Sequence, residues 1–449
     1  MQLEFPTSPL RRLQELGHEA FYVGGCVRDA LMGLPPKDLD LTTSATPEQI
    51  EAAFSDCRVI ETGIRHGTVT VRFEGQSLEI TTFRLDGAYT DGRHPDRVSF
   101  ASRVEEDLAR RDFTVNAMAW SPERGLVDPF GGQTDLKAGV LRAVGDPRLR
   151  FTEDALRILR GLRFSAVLDF ALEPETAQAA RDLREGLCRI SAERIQAELL
   201  KLLCGPACER VLLGFPEILA VPIPELSPMV GFDQKNPHHC YDVWTHSVKV
   251  TAAVPARPDL RLAALLHDVG KPACFTLDDT GVGHFYGHGE AGEQIARTIL
   301  DRLRLDRATR ERVLTLVRHH DRPILPPEEK TVKRLLGRFG TEGFFALMAL
   351  KRADNLAQHP DYRGRLAQYD EIEAMARRIL ATKQPFCLKD LAVTGTDLLA
   401  LGYAPGPELG AALQELLRRV MEENLSNTRQ ILLKEAEKRR KTIQINENN

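Results

Sequence analysis

The periodicity of hydrophobic residues changes once along the chain, near residue 150, and this change constrains the fold more than any other feature. Before it, the segments DLDLTT, TVTVRF and SLEITTF alternate apolar and polar residues, as half-buried β-strands do. After it, FTEDALRILRGLRFSAVL and SAERIQAELLKLLC place apolar residues at i, i+3, i+4 and i+7, the spacing of amphipathic helices. The sequence therefore predicts an α+β fold, in which a small head with a mixed sheet and helices precedes an all-α remainder.

The length and composition predict a globular protein of several domains. At 449 residues the chain exceeds what one hydrophobic core can cover, and its 43% hydrophobic and 28% charged residues are typical of globular proteins. No apolar run approaches the ~20 residues that span a bilayer, and the N-terminal segment carries charges throughout. We therefore expect a cytoplasmic protein without a membrane partner. Because the net charge is −4, any RNA contact must come from local basic patches.

The distribution of residue types predicts four segments. The head is expected to cover residues 1–145, and a first helical block residues 146–225. The proline-rich stretch FPEILAVPIPELSPMVGFDQKNPHH interrupts the helical pattern and indicates a linker. A histidine-rich helical block is expected over 226–360, and a helical tail over 361–449.

Acidic residues on two predicted strands of the head are candidates for metal binding. Asp38 and Asp40 flank Leu39 at the start of a strand, where side chains two residues apart point to the same face. Two carboxylates side by side suit Mg²⁺, which completes its coordination with substrate phosphates. Glu79 alternates with apolar Leu78 and Ile80 and supplies a third candidate. A D-x-D pair alone is most often a solvated strand face, which remains the alternative.

The segment YVGGCVRDALMGL predicts a strand, a glycine turn and a helix. Glycines such as Gly25 allow the backbone to approach a phosphate closely, a helix N-terminus favours anions, and Arg28 adds a planar donor. A dinucleotide-binding loop would require G-x-G-x-x-G, which GGCVRD does not supply.

Five motifs in order now support a family resemblance. GGCVRD, DLD, RRDFTVNAMA (110–119), TEDALRILRGLRF (152–164) and AERIQAEL (192–199) resemble those of class II tRNA nucleotidyltransferases, the CCA-adding enzymes and bacterial poly(A) polymerases. The resemblance covers roughly the first half of the chain. It implies a polymerase-beta-like nucleotidyltransferase head, a helical neck and body, and an RNA-binding tail. It also implies Mg²⁺ in the head, CTP and ATP as substrates, and the tRNA 3′ end as partner.

Asp154 and Arg157 are the residues to which the resemblance assigns base recognition. On one helix, residues at i and i+3 are neighbours, and a carboxylate accepts hydrogen bonds whereas a guanidinium donates them. Cytosine and adenine each place an amino donor beside a ring-nitrogen acceptor, while uracil and guanine present the reverse. The pair can therefore admit C and A without a template, because a mismatch leaves polar groups unpaired at about 1–3 kcal/mol each.

By the same resemblance, other residues of these motifs contact the nucleotide. Arg160 and Arg163 continue the arginine spacing and are expected at the triphosphate, and Asp112 with Asn116 can bond a ribose hydroxyl. Two Mg²⁺ ions on Asp38 and Asp40 would serve nucleotidyl transfer. The full set predicted for the head is Asp38, Asp40 and Glu79 for catalysis, with Gly25, Arg28, Arg111, Asp112, Asp154, Arg157, Arg160 and Arg163 for nucleotide binding.

The segment between Arg84 and Phe100, RLDGAYTDGRHPDRVSF, resembles the flexible loop of the family, which enzymes that add only CC have shortened. Its presence favours addition of the full CCA, or of A alone. A surface hairpin without such a role is the alternative.

A second set of candidate residues lies on the histidine-rich helices. Histidines and acids occur there in the order H…HD…H…HHD…D, within YDVWTHSVKV, LAALLHDVGKP, FYGHGEAG, LVRHHD and LKRADN. Imidazoles and carboxylates at this density suit a borderline divalent metal. The set resembles the HD phosphohydrolase domain over residues 240–356, which implies phosphatase or 2′,3′-cyclic phosphodiesterase activity. The residues implied are His246, His267, Asp268 and Asp354 for the principal ion, His288 and His319 for a second ion, and Lys271 for a substrate phosphate.

The leading hypothesis is a template-independent enzyme that builds or repairs the 3′-terminal CCA of tRNA. An A-adding enzyme or poly(A) polymerase is an alternative within the same chemistry. A nucleotide hydrolase or sensor with an HD domain, whose head only binds nucleotide, is an alternative of another class, as is a protein that only binds RNA.

Overall fold

The computed structural model describes residues 3–36, 38–63, 67–86, 98–324 and 327–447. The chain divides into two compact units, one formed by Met1–Ser227 with Ile299–Leu305 and the other by Pro228–Thr298 with Asp306–Asn449. The finer division into four segments stays a prediction. Most of the predicted flexible loop, residues 87–97, lies outside the described residues.

The first unit begins with a seven-stranded mixed sheet in the order β3-β4-β5-β2-β1-β8-β9. Only the β2–β5 pair is parallel among the described pairings of this sheet. Two further short strands, β6 and β7, pair with each other. The strands are β1 (Ala20–Val23), β2 (Leu39–Thr43), β3 (Arg58–Gly63), β4 (Thr68–Phe73), β5 (Gln76–Thr82), β6 (Arg84–Asp86), β7 (Val98–Phe100), β8 (Ala119–Ser121) and β9 (Gly125–Val127).

Strand β1, an interior strand of the sheet, is buried on both faces. Ala20 and Tyr22 belong to one apolar cluster, which includes Leu41, while Phe21 and Val23 belong to a second cluster on the opposite face. This division follows from the two-residue period of a strand. The helices of the head are α1 (Ser8–Glu15), α2 (Gly25–Leu31), α3 (Pro47–Ala53), α4 (Val104–Ala109) and α5 (Gly132–Ala138).

The rest of the first unit is helical apart from the short parallel pair β10 (Val140–Leu141) and β11 (Ala171–Leu172). The sequence pattern and the structure therefore agree on an α+β fold, and the predicted fold class is confirmed. The helices are α6 (Pro147–Glu153), α7 (Leu156–Leu168), α8 (Pro174–Asp182), α9 (Ala192–Leu203), α10 (Cys208–Gly214) and α11 (Pro216–Leu219).

The helix predicted to carry both Asp154 and Arg157 is interrupted, which corrects that part of the sequence analysis. Asp154 lies between α6 and α7 in an extended conformation, with φ −143° and ψ 103°. Its Oδ1 accepts a hydrogen bond from the main-chain N–H of Leu156 at 3.0 Å. A short acidic side chain that bonds the backbone in this way competes with helix continuation and favours a new helix start. Arg157 thus lies in the first turn of α7.

The second unit is built mainly of helices around the short hairpin β12 (Thr276–Leu277) and β13 (Gly283–His284). None of the described helices is both long and apolar enough to cross a membrane. The remaining helices are α12 (Val243–Ala253), α13 (Pro258–Leu266), α14 (His288–Arg302), α15 (Arg307–His319), α16 (Glu329–Leu356), α17 (Leu366–Ala381), α18 (Gly395–Ala400), α19 (Pro407–Met421) and α20 (Arg429–Glu447).

Candidate functional site

A polar cleft of about 380 Å³ in the first unit collects most of the residues predicted for the head. Residues of β2 and β5, the segment after α4, and the start of α7 contribute to its lining. The predicted residues that line it are Asp40, Glu79, Arg111, Asp112, Asp154, Arg157 and Arg160. Carboxylates and guanidinium groups separated by more than a hundred residues in the sequence therefore share one cavity.

Two carboxylates of this cleft lie side by side on the only parallel strand pair described in the sheet. Asp40 of β2 is the register partner of Glu79 on β5. Burial raises the pKa of Asp40 to about 6, with a further contribution from the negative charge of Glu79. A buried carboxylate crowded by a second one is stabilised by a bound cation, and hard oxygen donors are those that Mg²⁺ prefers. The donor set therefore fits Mg²⁺.

Asp38 lies outside this pair. Strand β2 begins at Leu39, so Asp38 is an exposed residue in the preceding bend. It lines a neighbouring cavity of about 390 Å³, and within the described residues it does not join Asp40 and Glu79 in a three-ligand group. Its charge still contributes to the raised pKa of Asp40. The expectation that Asp38 and Asp40 alternate along one strand is therefore corrected by the position of the strand end.

A buried hydrogen-bond network connects α2, which follows the glycine turn, with α7. Arg28 of α2 donates from Nη1 to Oδ1 of Asn116 at 2.6 Å, and Asn116 donates from Nδ2 to Oδ1 of Asp112 at 3.4 Å. Arg160 of α7 donates from Nε to Oδ2 of Asp112 at 2.8 Å. Burial alone would raise the pKa of Asp112, but Arg160 holds it below the ordinary value. Arg28 is thus engaged with protein partners and does not line the cleft.

The glycine turn fits closely against an arginine of the cleft. Gly24 has a φ of +78°, and a Cβ at this position would stand 2.9 Å from Nη1 of Arg111. A side chain would therefore be both strained and in contact with the guanidinium. Gly25 follows as the first residue of α2 and, like Arg28, is not among the lining residues.

Asp154 and Arg157 are each positioned by other residues. Oδ2 of Asp154 accepts a hydrogen bond from Nη2 of Arg194 at 2.6 Å. Arg157 donates from Nη1 to Glu153 at 2.7 Å and to a main-chain oxygen at 3.3 Å, and from Nη2 to the main-chain oxygen of Arg110 at 3.0 Å. A guanidinium has five N–H groups. Three of them donate among the described contacts, and two are not used there.

Arg163 does not line the cleft, although the sequence predicts it beside Arg160. Its Nε donates to Oε2 of Glu198 on α9 at 2.5 Å, and its guanidinium lies 3.6 Å from the ring centre of Phe164. Two helical residues three apart are rotated by about 60° from each other. That rotation lets Arg160 enter the cleft while α9 holds Arg163.

The sequence analysis missed Asp107, which holds two arginines of the cleft. The side chain of Asp107 is fully buried; its oxygens lie 2.7 Å from Nη2 of Arg110 and 3.3 Å from Nη2 of Arg111. Both arginines line the cleft, as does Arg194 of α9. The signal was present in DLARR, because Asp107 precedes the two arginines by three and four residues.

A second candidate site lies in the second unit, where a cavity of about 580 Å³ has a buried histidine and aspartate cluster at its wall. Asp268 is central. Its Oδ2 lies 3.2 Å from Nε2 of His267 and 3.5 Å from Nε2 of His246, which in turn is 3.0 Å from Asp354. Its Oδ1 lies 3.4 Å from Nε2 of His320 and 3.6 Å from Nε2 of His288. Each carboxylate oxygen of Asp268 therefore faces its own pair of histidines.

Three of these histidines are oriented by the main chain in the same way. The Nδ1 atoms of His267, His288 and His320 each lie 2.7 Å from the carbonyl oxygen three residues earlier. A carbonyl can only accept, so Nδ1 donates, and in the neutral ring the lone pair is then on Nε2, towards Asp268. Nε2 of His267 is buried and has no hydrogen-bond partner among the described residues, while Oδ2 of Asp268 forms an ion pair with Nζ of Lys271 at 2.7 Å. An orphaned imidazole nitrogen beside a buried carboxylate fits a divalent cation.

The structure replaces His319 by His320 in this set, which corrects the sequence prediction. Nε2 of His319 lies 3.1 Å from Nη2 of Arg338, and its ring packs against Phe339. Burial, together with Arg338, lowers the pKa of His319 to about 4. Adjacent helical residues point about 100° apart. Only His320 therefore reaches Asp268.

Comparison with known proteins decides the family. The CCA-adding enzyme of Levilactobacillus brevis is 34% identical over 437 residues, which is 96% of this chain and 97% of that enzyme. The chain belongs to the CCA-adding enzyme family. The CCA-adding enzyme of Lactobacillus helveticus is 51% identical over 197 residues, covering 44% of this chain and 49% of that enzyme.

Family models and solved structures agree with membership in the CCA-adding enzyme family. The model described as the poly A polymerase head domain matches residues 20–142, one for an RNA and SrmB-binding site of polymerase A matches 169–217, and tRNA nucleotidyltransferase domain 2 matches 288–436. The CCA-adding enzyme of Bacillus stearothermophilus in complex with CTP superposes with a TM-score of 0.73, 28% identity and 98% of both chains covered. The Thermotoga maritima enzyme shares the fold, at a TM-score of 0.55, 20% identity and coverage of 96% of this chain and 93% of that one.

Replacing Asp107 by asparagine is expected to lower the free energy of unfolding by about 3 kcal/mol, because Arg110 and Arg111 then lose their ion pairs with a buried carboxylate. Urea unfolding measures this loss, and Glu105→Gln at the nearby exposed ion pair with Arg124 should cost less than about 1 kcal/mol. Burial tends to raise the pKa of Asp107, but Arg111 and Arg110 bring it below the ordinary value. The contribution of this carboxylate is therefore complete above the ordinary aspartate range and is lost as the pH falls through its lowered pKa. Equal losses in both variants would contradict the role assigned to Asp107.

Proposed function

We propose that this protein adds the 3′-terminal CCA to tRNA, using CTP and ATP, by nucleotidyl transfer in the cleft of the first unit. The observation that carries the proposal is that carboxylates suited to Mg²⁺, Asp40 and Glu79, share one cavity with the base-reading candidates Asp154 and Arg157. The CTP complex of the Bacillus stearothermophilus relative supports this choice of substrate. The family name of the Levilactobacillus brevis relative supports the reaction.

The carboxylates of the cleft are assigned to metal binding and its arginines to the triphosphate. Asp40 and Glu79, with Asp38 as a third candidate ligand, would hold Mg²⁺, which when bound supplies positive charge to the triphosphate and the attacking 3′-hydroxyl. Arg160 and Arg111 present further positive charge to the triphosphate from the cleft wall. Because Asp112 anchors Arg160, the position of this cation is fixed before substrate enters.

Base selection follows from the donors and acceptors that the cleft presents. Asp154 accepts the amino group of C or A, and the two N–H groups of Arg157 that are left can donate to the ring nitrogen. Arg194 and Glu153 hold the two side chains in place, so selection requires little rearrangement. Uracil and guanine would place a donor against Arg157 and an acceptor against Asp154.

Replacing Asp154 by alanine is expected to weaken discrimination of CTP and ATP against UTP and GTP by about 10-fold or more, because one acceptor is lost. Each of the four nucleotides is supplied to tRNAs ending before, within and after CC, and product lengths and kcat/KM are measured. Lys201→Ala, an exposed position on α9, is the control and should leave discrimination unchanged. Unaltered discrimination in Asp154→Ala would remove this residue from base recognition.

The same assay distinguishes a CCA-adding enzyme from an A-adding enzyme and from a poly(A) polymerase. A CCA-adding enzyme extends tRNA lacking all three nucleotides by C, C and A and then stops. An A-adding enzyme extends only tRNA that already ends in CC, and a poly(A) polymerase adds A repeatedly.

Basic residues of α20, among them Lys434 and Lys438, are proposed to contribute to tRNA phosphate binding in each case.

We further propose that the second unit is a metal-dependent phosphohydrolase of the HD type, acting on 2′,3′-cyclic phosphates or phosphate monoesters. The carrying observation is the position of Asp268 between His246 and His267 on one side and His288 and His320 on the other. Asp268 and these histidines would hold a divalent metal, and the chemistry that such an ion would supply is the activation of water for attack on phosphorus. Lys271, whose Nζ lies 2.7 Å from Oδ2 of Asp268, lines the cavity and is positioned for a substrate phosphate.

A further inference from the structure

Tyr286, beside the metal-binding cluster of the second unit, is an unusually exposed aromatic residue. Its relative exposure of 79% is the highest among the exposed large hydrophobic residues described. It lies two residues after the end of β13 and lines the same cavity as Asp268, His288 and His320. An exposed aromatic ring at the mouth of a binding cavity indicates a surface for a ligand.

The ring of Tyr286 is held in position by its neighbours. It stacks on the ring of His284 with centroids 5.3 Å apart and an interplanar angle of 6°. His284 is fixed by Nε2, which lies 2.8 Å from Oδ2 of Asp278 in the turn of the hairpin. The intervening Phe285 packs against Phe275 at 5.6 Å, which ties the segment to the unit. The hydroxyl of Tyr286 also lies 3.4 Å from Nδ1 of His284, so the ring is held against His284 while most of its surface stays exposed.

The distance from this surface to the metal-binding cluster suits a nucleotide. Tyr286 precedes His288 by two residues, so their Cα atoms are at most about 7 Å apart. A phosphate at the cluster would therefore place the rest of a nucleotide within reach of the Tyr286 ring. The cavity also contains the cations Lys271 and Arg365, which suit a phosphate and not an apolar ligand.

We propose that Tyr286, stacked on His284, binds the nucleobase of the terminal nucleotide whose phosphate is hydrolysed at the cluster. The substrate class of the second site is accordingly a nucleoside 2′,3′-cyclic phosphate or an RNA that ends in one. A base stacks on an aromatic ring through its π face, so the surface accepts different bases. This inference rests on the proposed phosphohydrolase function and adds the group that makes it selective for nucleotides.

Two substrates with the same reacting group test the proposal in the full-length protein with Mn²⁺ or Ni²⁺. Adenosine 2′,3′-cyclic phosphate carries a base, whereas glycerol 1,2-cyclic phosphate has the same five-membered phosphodiester ring without one. Hydrolysis of either consumes one water and breaks one P–O bond of the ring. Tyr286→Ala is expected to lower kcat/KM about 10-fold or more for the adenosine compound, mainly through KM, and to leave the glycerol compound within about twofold.

Two further variants serve as controls. Tyr286→Trp should retain the preference for the adenosine compound, because an indole also stacks. Leu277→Ala removes an exposed side chain of the same hairpin that does not line the cavity, and it should change neither substrate. Equal losses on both substrates in Tyr286→Ala, or no loss on either, would overturn the proposal. An RNA ending in a 2′,3′-cyclic phosphate, assayed in parallel, shows whether the free nucleotide or the RNA end is the better substrate. A lower kcat/KM of Tyr286→Ala with either of these two substrates supports stacking.

A binding measurement separates this inference from the phosphohydrolase proposal. If the wild-type protein hydrolyses neither cyclic phosphate, the proposed hydrolase function fails. Adenosine 3′-monophosphate is then titrated by calorimetry into the wild type and Tyr286→Ala. Loss of one binding event in the variant supports the stacking surface, and identical binding in both proteins overturns it.

Discussion

Asp40→Asn is expected to lower nucleotide addition by more than about 100-fold while hydrolysis in the second unit is unchanged. Loss of a residue that only supports a metal ligand typically costs 10- to 100-fold in activity, and a direct ligand should cost more. The variant also relieves the crowding of Asp40 by Glu79, which are register partners on β2 and β5, so the fold should be retained. Addition of labelled CMP to tRNA lacking CCA, measured in a single turnover, gives the rate.

Two companion variants make this result specific. Asp56→Asn alters an exposed carboxylate of the head that pairs with Arg12, and addition should proceed at the wild-type rate. Asp38→Asn decides the role of a residue that the structure leaves at the exposed end of its strand. A loss as large as that of Asp40→Asn would assign Asp38 to the metal site, and an unchanged rate would exclude it. Wild-type addition by Asp40→Asn would contradict the proposed site as a whole.

The second large effect distinguishes two adjacent histidines. His320→Ala is expected to lower hydrolysis of 2′,3′-cyclic AMP by more than about 100-fold, because Nε2 of His320 faces Asp268. His319→Ala is the matched control, and it should retain hydrolysis within about threefold, since His319 contacts Arg338 and Phe339 instead. Metal content of each purified protein, measured by atomic absorption, shows whether the loss follows the bound ion.

The hydrolase assignment also predicts independence of the two activities. The double variant His267→Ala, Asp268→Ala should have no measurable hydrolysis, yet it should add nucleotides to tRNA as the wild type does. Hydrolysis that survives in this double variant would rule out the cluster as its source. The opposite ranking of His319→Ala and His320→Ala would show that the bound state uses a different histidine.

The alternation of Asp40 and Glu79 with apolar neighbours was enough to predict that both carboxylates leave the core. Their position next to each other was not predictable in this way, because it depends on the parallel pairing of β2 with β5, a contact between residues distant in sequence. Local pattern thus identified the residues, and long-range pairing assembled them.

Where the sequence analysis failed, the structure was decided by contacts that the hydrophobic periodicity does not encode. The apolar residues on either side of Asp154 keep the spacing of one continuous helix. The carboxylate of Asp154, however, accepts a hydrogen bond from the N–H of Leu156, and the helix is interrupted there. His319 and His320 are both buried at the end of α15, so burial alone does not separate them. Their different contacts depend on the partners that other helices bring.

The orientation of the three histidines by main-chain carbonyls has a consequence for how the second site is made. His267, His288 and His320 are held in one tautomer by the peptide backbone of their own segments and not by the ion. The proposed site is therefore oriented before any ion binds. In small domains that fold only around zinc the ion organises its own ligands, whereas a metal bound at the proposed site would meet three histidines that are already in place.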